Sequence, residues 1–468
     1  MNAIILSALS GVIMMFSGIL LKNKSSIKYV AIAALIILLL GNLLQTYGCC
    51  SIKVDTKDLL RFSKFGMFFN TILFASTLLY VLLSGRDIEK VGVNVAEYFA
   101  LIFFVLCGVS ILTSFNGLLM FFLGIEILSI PLYILTGADK HNLKGNEASL
   151  KYFLMGSFST GIMLMGIALV YGTSGSFGLE GNPAAQFSGI GPVRGVGILG
   201  PVGLVLIFIS MAFKVSAAPF HFWTPDVYDG APGVFTSFMA TIVKAAGFFA
   251  FIRLFDARSA ELGPSWKIIL TVVIIATLLI GNITAVFQQS VKRMLAYSSI
   301  AQAGFMLFAL YSTNDLSREG ILLYAAAYSI ATIGIFAILI KMKDYTFDGY
   351  NGLGKTQPLL AAANTIFLLS LAGIPLTAGF FAKYYMLASA ITSSGTKGTI
   401  VLVIIAVLFA AVSVYYYFRV IQAMYFKEGN AETTETVGVG FKIGLVALAA
   451  IVIVIGIWPT ALLNWFFF

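Results

Sequence analysis

Apolar runs longer than about 18 residues recur from one end of this chain to the other, and a run of that length is what an α-helix needs to cross a bilayer. In lipid, every backbone N–H and C=O must find its partner inside the protein, so such runs can fold only as a bundle of membrane-spanning helices. Composition agrees. Of the 468 residues 59% are hydrophobic and 10% are charged, where a soluble chain carries about 25% charged residues. The mean hydropathy is +0.97. The first run, residues 1–21, has no basic n-region and no small-residue cleavage site, so it reads as a retained first helix and not as a signal peptide.

Cutting at polar stretches gives about fourteen spans of roughly 20 residues. They centre near residues 11, 38, 72, 104, 125, 161, 205, 243, 276, 301, 329, 375, 412 and 452. The net charge of +9 is spread over the loops without a run or a basic face, which points to orientation bias and not to nucleic acid. With the N-terminus outside, the inner loops, including Lys22, Lys90, Lys140, Lys144, Lys292, Arg293, Lys341 and Lys343, are more basic than the outer set, which includes Lys53, Arg194, Arg258 and Arg318. Both termini are therefore expected on the outer side. The Gly-rich residues 172–200 have no preceding strand and no GK[ST] ending, and read as a linker and not a phosphate loop.

Cys49, Cys50 and Cys107 are too few for a four-thiolate iron–sulfur cluster and badly spaced for zinc. His141 sits in a charged loop, so it does not pair with His221 as a haem ligand. No nucleophile–base pair, metal cluster or nucleotide motif stands out. The chain is expected to bind no redox cofactor.

What remains is a set of ionisable residues inside the spans: Glu126, Lys151, Lys214, Lys244, Arg253, Lys383 and Arg419. A charge near the bilayer centre costs about 2.5–3.5 kcal/mol and usually faces a polar interior or a water path. Each residue taken singly could be a structural contact between helices, and Arg253, near a helix end, could snorkel to the interface. Five lysines and glutamates together would cost more than about 10 kcal/mol, which favours function. Pro131, Pro219 and Pro375 lie within two turns of Glu126, Lys214 and Lys383, and would free the carbonyls of Ile127, Val215 and Leu371. Broken helices beside ionisable side chains are how transporters build sites at the membrane midplane. Spans four to eight and nine to thirteen also suggest two five-helix units, which an odd count would invert relative to each other.

The segments FKVSAAPFHFWTPDVYDGAP, VKAAGF, VKRMLAYSSIAQAGF, LAGIPLTAGFFAKYY, FFLGIEILSIPLYIL and NEASLKYFLMGS closely resemble the antiporter-like subunits of bacterial complex I, the proton-pumping NADH–quinone oxidoreductase, and among them the N type. The resemblance runs from about residue 95 to 425. It implies an all-α polytopic protein of fourteen transmembrane helices with two inverted five-helix repeats and broken helices 7 and 12. The divisions expected are residues 1–95, 96–255, 256–425 and 426–468. It further implies proton transfer through Glu126 on helix five, Lys214 on helix seven, Lys244 on helix eight and Lys383 on helix twelve. Lys151 matches a helix-six lysine and His221 a histidine after helix seven, while Arg419 has no assigned role.

Burial disfavours a charged lysine and a nearby carboxylate favours it. Lys214 would thus hold its proton while Glu126 is near and release it to Lys244 and Lys383 when the pair separates. The driving charge movement would come from a neighbouring subunit. FMN, iron–sulfur clusters and quinone would reside on other subunits of the complex. Other membrane-arm subunits, antiporter-like neighbours among them, the lipid bilayer and protons are the expected partners, in a bacterial plasma (inner) membrane. Two alternatives stay open: a subunit of a cation/proton antiporter or hydrogenase-linked ion pump, and a scaffold bundle whose buried charges only pack.

Overall fold

The computed structural model describes residues 1–21, 24–49, 52, 54–179, 198–263, 265–435 and 437–467. Lys22, Cys50, Lys53 and Arg194, and the larger part of the Gly-rich residues 172–200, lie outside the described residues. The first half of the chain forms α1 (Asn2–Leu20), α2 (Lys24–Thr46), α3 (Lys64–Val91), α4 (Val95–Leu112), α5 (Leu118–Thr136), α6 (Leu143–Ser174), α7 (Leu199–Lys214), α8 (Trp223–Gly230), α9 (Gly233–Phe238) and α10 (Lys244–Arg258). The second half forms α11 (Ser265–Val286), α12 (Val291–Met306), α13 (Phe308–Ser312), α14 (Asp315–Lys341), α15 (Leu353–Thr356), α16 (Pro358–Ala372), α17 (Ala378–Ser393), α18 (Lys397–Phe426), α19 (Val439–Ile457) and α20 (Pro459–Phe467).

The fold is all-helical, and among the described residues twelve helical stretches are long and apolar enough to cross a membrane. One of them, Gly233–Arg258, joins α9 to α10 through a π turn at Met239–Val243. Shorter apolar helices occur at α7 and α16. The expected span near residue 375 is not one helix. Gly373 (φ 83) and Leu376 (φ 70) are left-handed, so α16 stops at Ala372 and α17 restarts at Ala378. A similar break follows α7, where Ser216 (φ 65) turns the chain before α8.

The prolines act differently from one another. Pro375 lies in the gap between α16 and α17. Pro219 comes after α7 has already ended at Lys214, so it does not itself break that helix. Pro131 leaves α5 continuous. Elsewhere helix starts follow local chemistry. The Ser63 side chain accepts from the Gly66 N–H at 3.1 Å, and Asn314 and Ser317 cap each other reciprocally at the start of α14.

Helices that carry the buried charges sit at the centre. The apolar window of Asp315–Lys341 is 100% buried and that of Val291–Ser312 is 94% buried, whereas Lys397–Phe426 is only 28% buried and presents its apolar flank outward. Where helices meet closely, glycine makes the meeting possible. A Cβ on Gly166 of α6 would lie 2.6 Å from the Gly203 carbonyl of α7, and one on Gly203 would lie 2.7 Å from the Gly166 carbonyl. Without a hydrophobic drive in lipid, such small-residue seams are what let backbones approach. Gly166→Leu should force α6 and α7 apart and destabilise the protein by about 1–3 kcal/mol. A lowered melting temperature of the detergent-solubilised protein, with Gly161→Leu, which has open space around it, as the neutral control, would check this.

Candidate functional site

Lys383 is 7% exposed, near the start of α17 and facing the open end of α16. A helix end leaves its last carbonyls without intrahelical donors. Lys383 Nζ donates to two of them, Leu371 O at 2.8 Å and Ala372 O at 2.9 Å, and sits 4.8 Å from the Phe305 ring centroid. The Leu371 carbonyl also accepts from Gln302 Nε2 at 2.9 Å. The carbonyl expected to be freed by Pro375 is therefore the one the lysine shares with a glutamine.

Lys244 is 2% exposed and opens α10 directly after the π turn. Its Nζ donates to Ser299 O at 2.8 Å and Ser299 Oγ at 2.9 Å on α12. Ser298 bonds the Tyr417 hydroxyl, Gln302 Nε2 donates to that same hydroxyl at 3.2 Å, and the Tyr324 hydroxyl donates to Gln302 Oε1. Ser298, Ser299 and Gln302 of α12 thus place the hydroxyl that holds Lys244 three residues from the amide that reaches the surroundings of Lys383. A cavity of ≈ 10 Å³ beside Lys383, bordered by Gln302, Tyr324 and Tyr328, is close to the least volume that holds one water.

Glu126 and Lys214 are each only partly buried. Glu126 Oε1 accepts from Thr160 Oγ1 of α6 at 2.8 Å, and Lys214 Nζ lies 5.7 Å from the Tyr133 ring centroid. The two charges act on each other electrostatically, yet no ion pair of 4.0 Å or less joins them among the described residues. Trp223 Nε1, and not Lys214, covers the end of α7 by donating to Phe213 O at 2.9 Å. His221 is 5% exposed, and its Nδ1 has no hydrogen-bond partner among the described residues.

Lys151 differs from the expectation of a residue inside a span. Its side chain is 43% exposed and pairs with Glu147 at 2.7 Å and Asp226 at 3.1 Å. Asp226 uses its other oxygen for Arg293 at 3.1 Å. These groups, with Lys144 and Asp229, line an open cavity of ≈ 200 Å³. Eight residues into a helix whose start is polar, Lys151 reaches this mouth and not the midplane.

Other cations were also misplaced by loop counting. Arg253 does not snorkel: its guanidinium donates to Phe115 O at 2.9 Å, Thr113 O at 2.9 Å and Arg61 O at 3.1 Å. Arg258 is 2% exposed and donates to the Leu179 and Gly178 carbonyls. Lys292 is 5% exposed and donates to Asp229 O and Ala231 O, each at 2.7 Å. Lys341, also counted as a loop residue, is buried against Asp87. Arg419, which had no role, donates to Val286 O at 2.6 Å at the end of α11 and lies 4.1 Å from the Phe347 ring centroid. Lone carbonyls at helix ends are the common partner, and sequence does not show where a helix end will lie.

A family model described as NADH:quinone oxidoreductase/Mrp antiporter, TM, matches residues 116–426. The chain is 39% identical to the NADH-quinone oxidoreductase subunit N of Cytophaga hutchinsonii, with 99% of each chain covered. The chain belongs to the NADH-quinone oxidoreductase subunit N family. Among solved structures, a chain of respiratory complex I from Thermus thermophilus superposes with a TM-score of 0.83 at 30% identity, covering 99% of this chain and 98% of that one. A chain of the archaeal membrane-bound sulfane sulfur reductase superposes with a TM-score of 0.85 at 25% identity, covering 99% and 95%. Within this subunit N family member, Ser299, Gln302, Tyr324 and Tyr417 are the site residues that sequence reasoning missed. A polar face at i and i+3 inside an apolar span, SSIAQ, was the available signal for the first two.

The buried cations differ in how many backbone carbonyls each one holds. Arg253→Leu strips three carbonyls of a charged donor, and each such bond contributes about 1.5–3 kcal/mol. A fall in assembled protein in the membrane is therefore expected, with a smaller fall for Lys383→Met, which strips two carbonyls, one of which keeps its bond from Gln302; quantitative immunoblots of membranes would check both.

Proposed function

We propose that this chain is a non-redox membrane-arm subunit of an NADH–quinone oxidoreductase that translocates protons through Glu126, Lys214, Lys244 and Lys383. The observation that carries the reading is the placing of two buried lysines on one helix's polar residues: Ser299 of α12 accepts from Lys244, and Gln302, three residues on, donates to Tyr417 and to the Leu371 carbonyl that Lys383 shares. Both lysines lie in the interior, where a charge would otherwise be costly.

In this reading the two short apolar helices belong to broken spans. Pairing α7 with α8 and α16 with α17 turns twelve long helices into fourteen spans, with residues 1–95 as an N-terminal trio, 96–255 and 256–425 as inverted five-helix repeats, and 426–468 as a last span. The termini lie on the outer side of a bacterial plasma membrane. Catalysis of NADH oxidation and quinone reduction belongs to other subunits, and this chain contributes the translocation step.

Protons balance at each step. Lys214 holds a proton while the Glu126 carboxylate is near. Separation of the pair releases it to Lys244, and Lys244 passes it across the Ser299–Gln302–Tyr417 face to Lys383. Each lysine returns to its starting charge after one proton has moved on. Lys151 and Asp226 serve at the polar mouth, and His221, with a free ring nitrogen, is placed to take part near the break after α7.

A second reading, a subunit of a cation/proton antiporter or hydrogenase-linked pump, is supported on its antiporter side by the matching family model, whose description also names the Mrp antiporter. Copurification of the chain with NADH-oxidising activity favours the first reading, and its absence favours the second. In inverted membrane vesicles, Lys214→Ala and Lys383→Met should each remove the whole share of NADH-driven proton uptake that this subunit carries, with the complex assembled. Unchanged protons per NADH in both variants would mean that the buried lysines only hold the bundle together.

A further inference from the structure

Outside the chain of residues just described lies a second buried pair of charges. Asp87, near the end of α3, and Lys341, the last residue of α14, are joined at 2.7 Å, with side chains 3% and 11% exposed. Removing such a pair from water is expensive, and a hydrophobic pair of equal volume would often serve packing as well or better. Lys90 also bonds Asp87 at 3.0 Å and reaches Glu435 at 2.7 Å, and Glu435 is 55% exposed. The hydrogen bond from Lys90, then its charge, holds the Glu435 carboxyl below its ordinary range. The buried pair is thus connected to an exposed end.

From Asp87 inward, α3 presents Ser84 and Tyr80, three and seven residues back and so on one face. Asp87 Oδ2, Ser84 Oγ and Tyr80 OH are all buried and none has a hydrogen-bond partner among the described residues. The same is true of Ser237 Oγ on α9. The two helices meet here: the Tyr80 ring lies 5.5 Å from that of Phe238, beside Ser237. A Cβ on Gly233, at the start of α9, would lie 3.1 Å from Ile340, the neighbour of Lys341. Ser237 therefore stands about one turn in from the ion pair, and Lys244 about 10 Å further along the same span.

Buried polar groups in native proteins are satisfied by protein or by ordered water. Phenylalanine or alanine would fill the places of Tyr80, Ser84 and Ser237 without the penalty of an open hydroxyl. A row of hydroxyls that the protein leaves open, ending on an acid at one side and a buried lysine at the other, is a file that water can complete.

We infer that Asp87, paired with Lys341, takes up protons at the inlet of a further polar route that runs along the α3–α9 seam to Lys244. The inference rests on the reading that Lys244 carries protons. Asp87 accepts a proton from the exposed end, passes it to the hydroxyl file and returns to a carboxylate, which again pairs with Lys341. Nothing is oxidised or reduced.

The test uses the complete complex in inverted vesicles, with protons taken up per NADH oxidised as the readout and the assembled complex quantified on native gels. The triple variant Tyr80→Phe, Ser84→Ala, Ser237→Ala removes only open hydroxyls, so a purely structural role predicts unchanged or raised thermal stability and unchanged pumping. The inference predicts unchanged stability with proton uptake per NADH reduced to the level of Lys244→Met, and the same loss in Asp87→Asn. If Asp87→Asn fails to assemble, the triple variant decides. Wild-type pumping in the triple variant, with Lys244→Met impaired, overturns the inference and leaves the proposed function standing. Wild-type pumping in Lys244→Met overturns the reading on which it rests.

Discussion

A helix that stops inside a membrane leaves carbonyl oxygens that lipid cannot satisfy, and the interior of this protein is arranged around those oxygens. At the end of α16 the donor is an ammonium: Lys383 on Leu371 and Ala372. Each bond from a charged donor contributes about 1.5–3 kcal/mol, and two of them offset the insertion cost of about 2.5–3.5 kcal/mol for the lysine. Neither partner is comfortable alone. The break needs a donor and the lysine needs acceptors, so the left-handed turn, permitted by Gly373 and strained at Leu376, and the buried charge sustain each other.

The break after α7 is resolved by other means. There an indole N–H covers the Phe213 carbonyl, the Thr224 and Ser216 hydroxyls bond at 2.7 Å, and Lys214, beside Tyr133 and acted on by the charge of Glu126, has no backbone acceptor among the described residues. One broken helix therefore fixes its lysine through main-chain oxygens, while the other leaves its lysine held by charge alone. Hydrogen bonds of fixed geometry resist displacement. A lysine restrained only by a carboxylate responds to any change in that carboxylate's position.

Much of this was legible from residues alone. Apolar run length pointed to a multi-span bundle, the cost of charge in lipid drew attention to Glu126, Lys151, Lys214, Lys244, Arg253, Lys383 and Arg419 together, and Pro375 pointed to the Leu371 carbonyl that Lys383 does occupy. What escaped has one cause: the partner of a buried cation is often a backbone carbonyl at a helix end, and neither the end nor the fold that brings it near is written in local pattern. Arg253, Arg258 and Arg419 each bond carbonyls from segments far away in sequence. Lys292 and Lys341 look like loop charges because they sit at the edges of apolar runs, yet both are buried. Lys151 errs the opposite way, for its helix begins earlier and more exposed than hydropathy suggests. Gln302 could have been found, since an amide among apolar residues on a central helix must face something polar.

The distribution of burial gives the charges different susceptibilities. Lys244 and Lys383 are enclosed and each donates two hydrogen bonds, whereas Glu126 and Lys214 are only partly covered by this chain. Two unit charges 4 Å apart interact by about 4 kcal/mol at an effective dielectric of 20, equivalent to about three orders of magnitude in a proton-binding constant. A charge arriving from outside this chain can exert that effect on Glu126 and Lys214, because no dry protein layer separates them from what packs there. It cannot do so on Lys383, which lies behind Gln302, Tyr324 and Phe305. The partly buried pair is thus the place where a charge outside this chain acts most directly, and the enclosed lysines are shielded from it by the chain's own side chains.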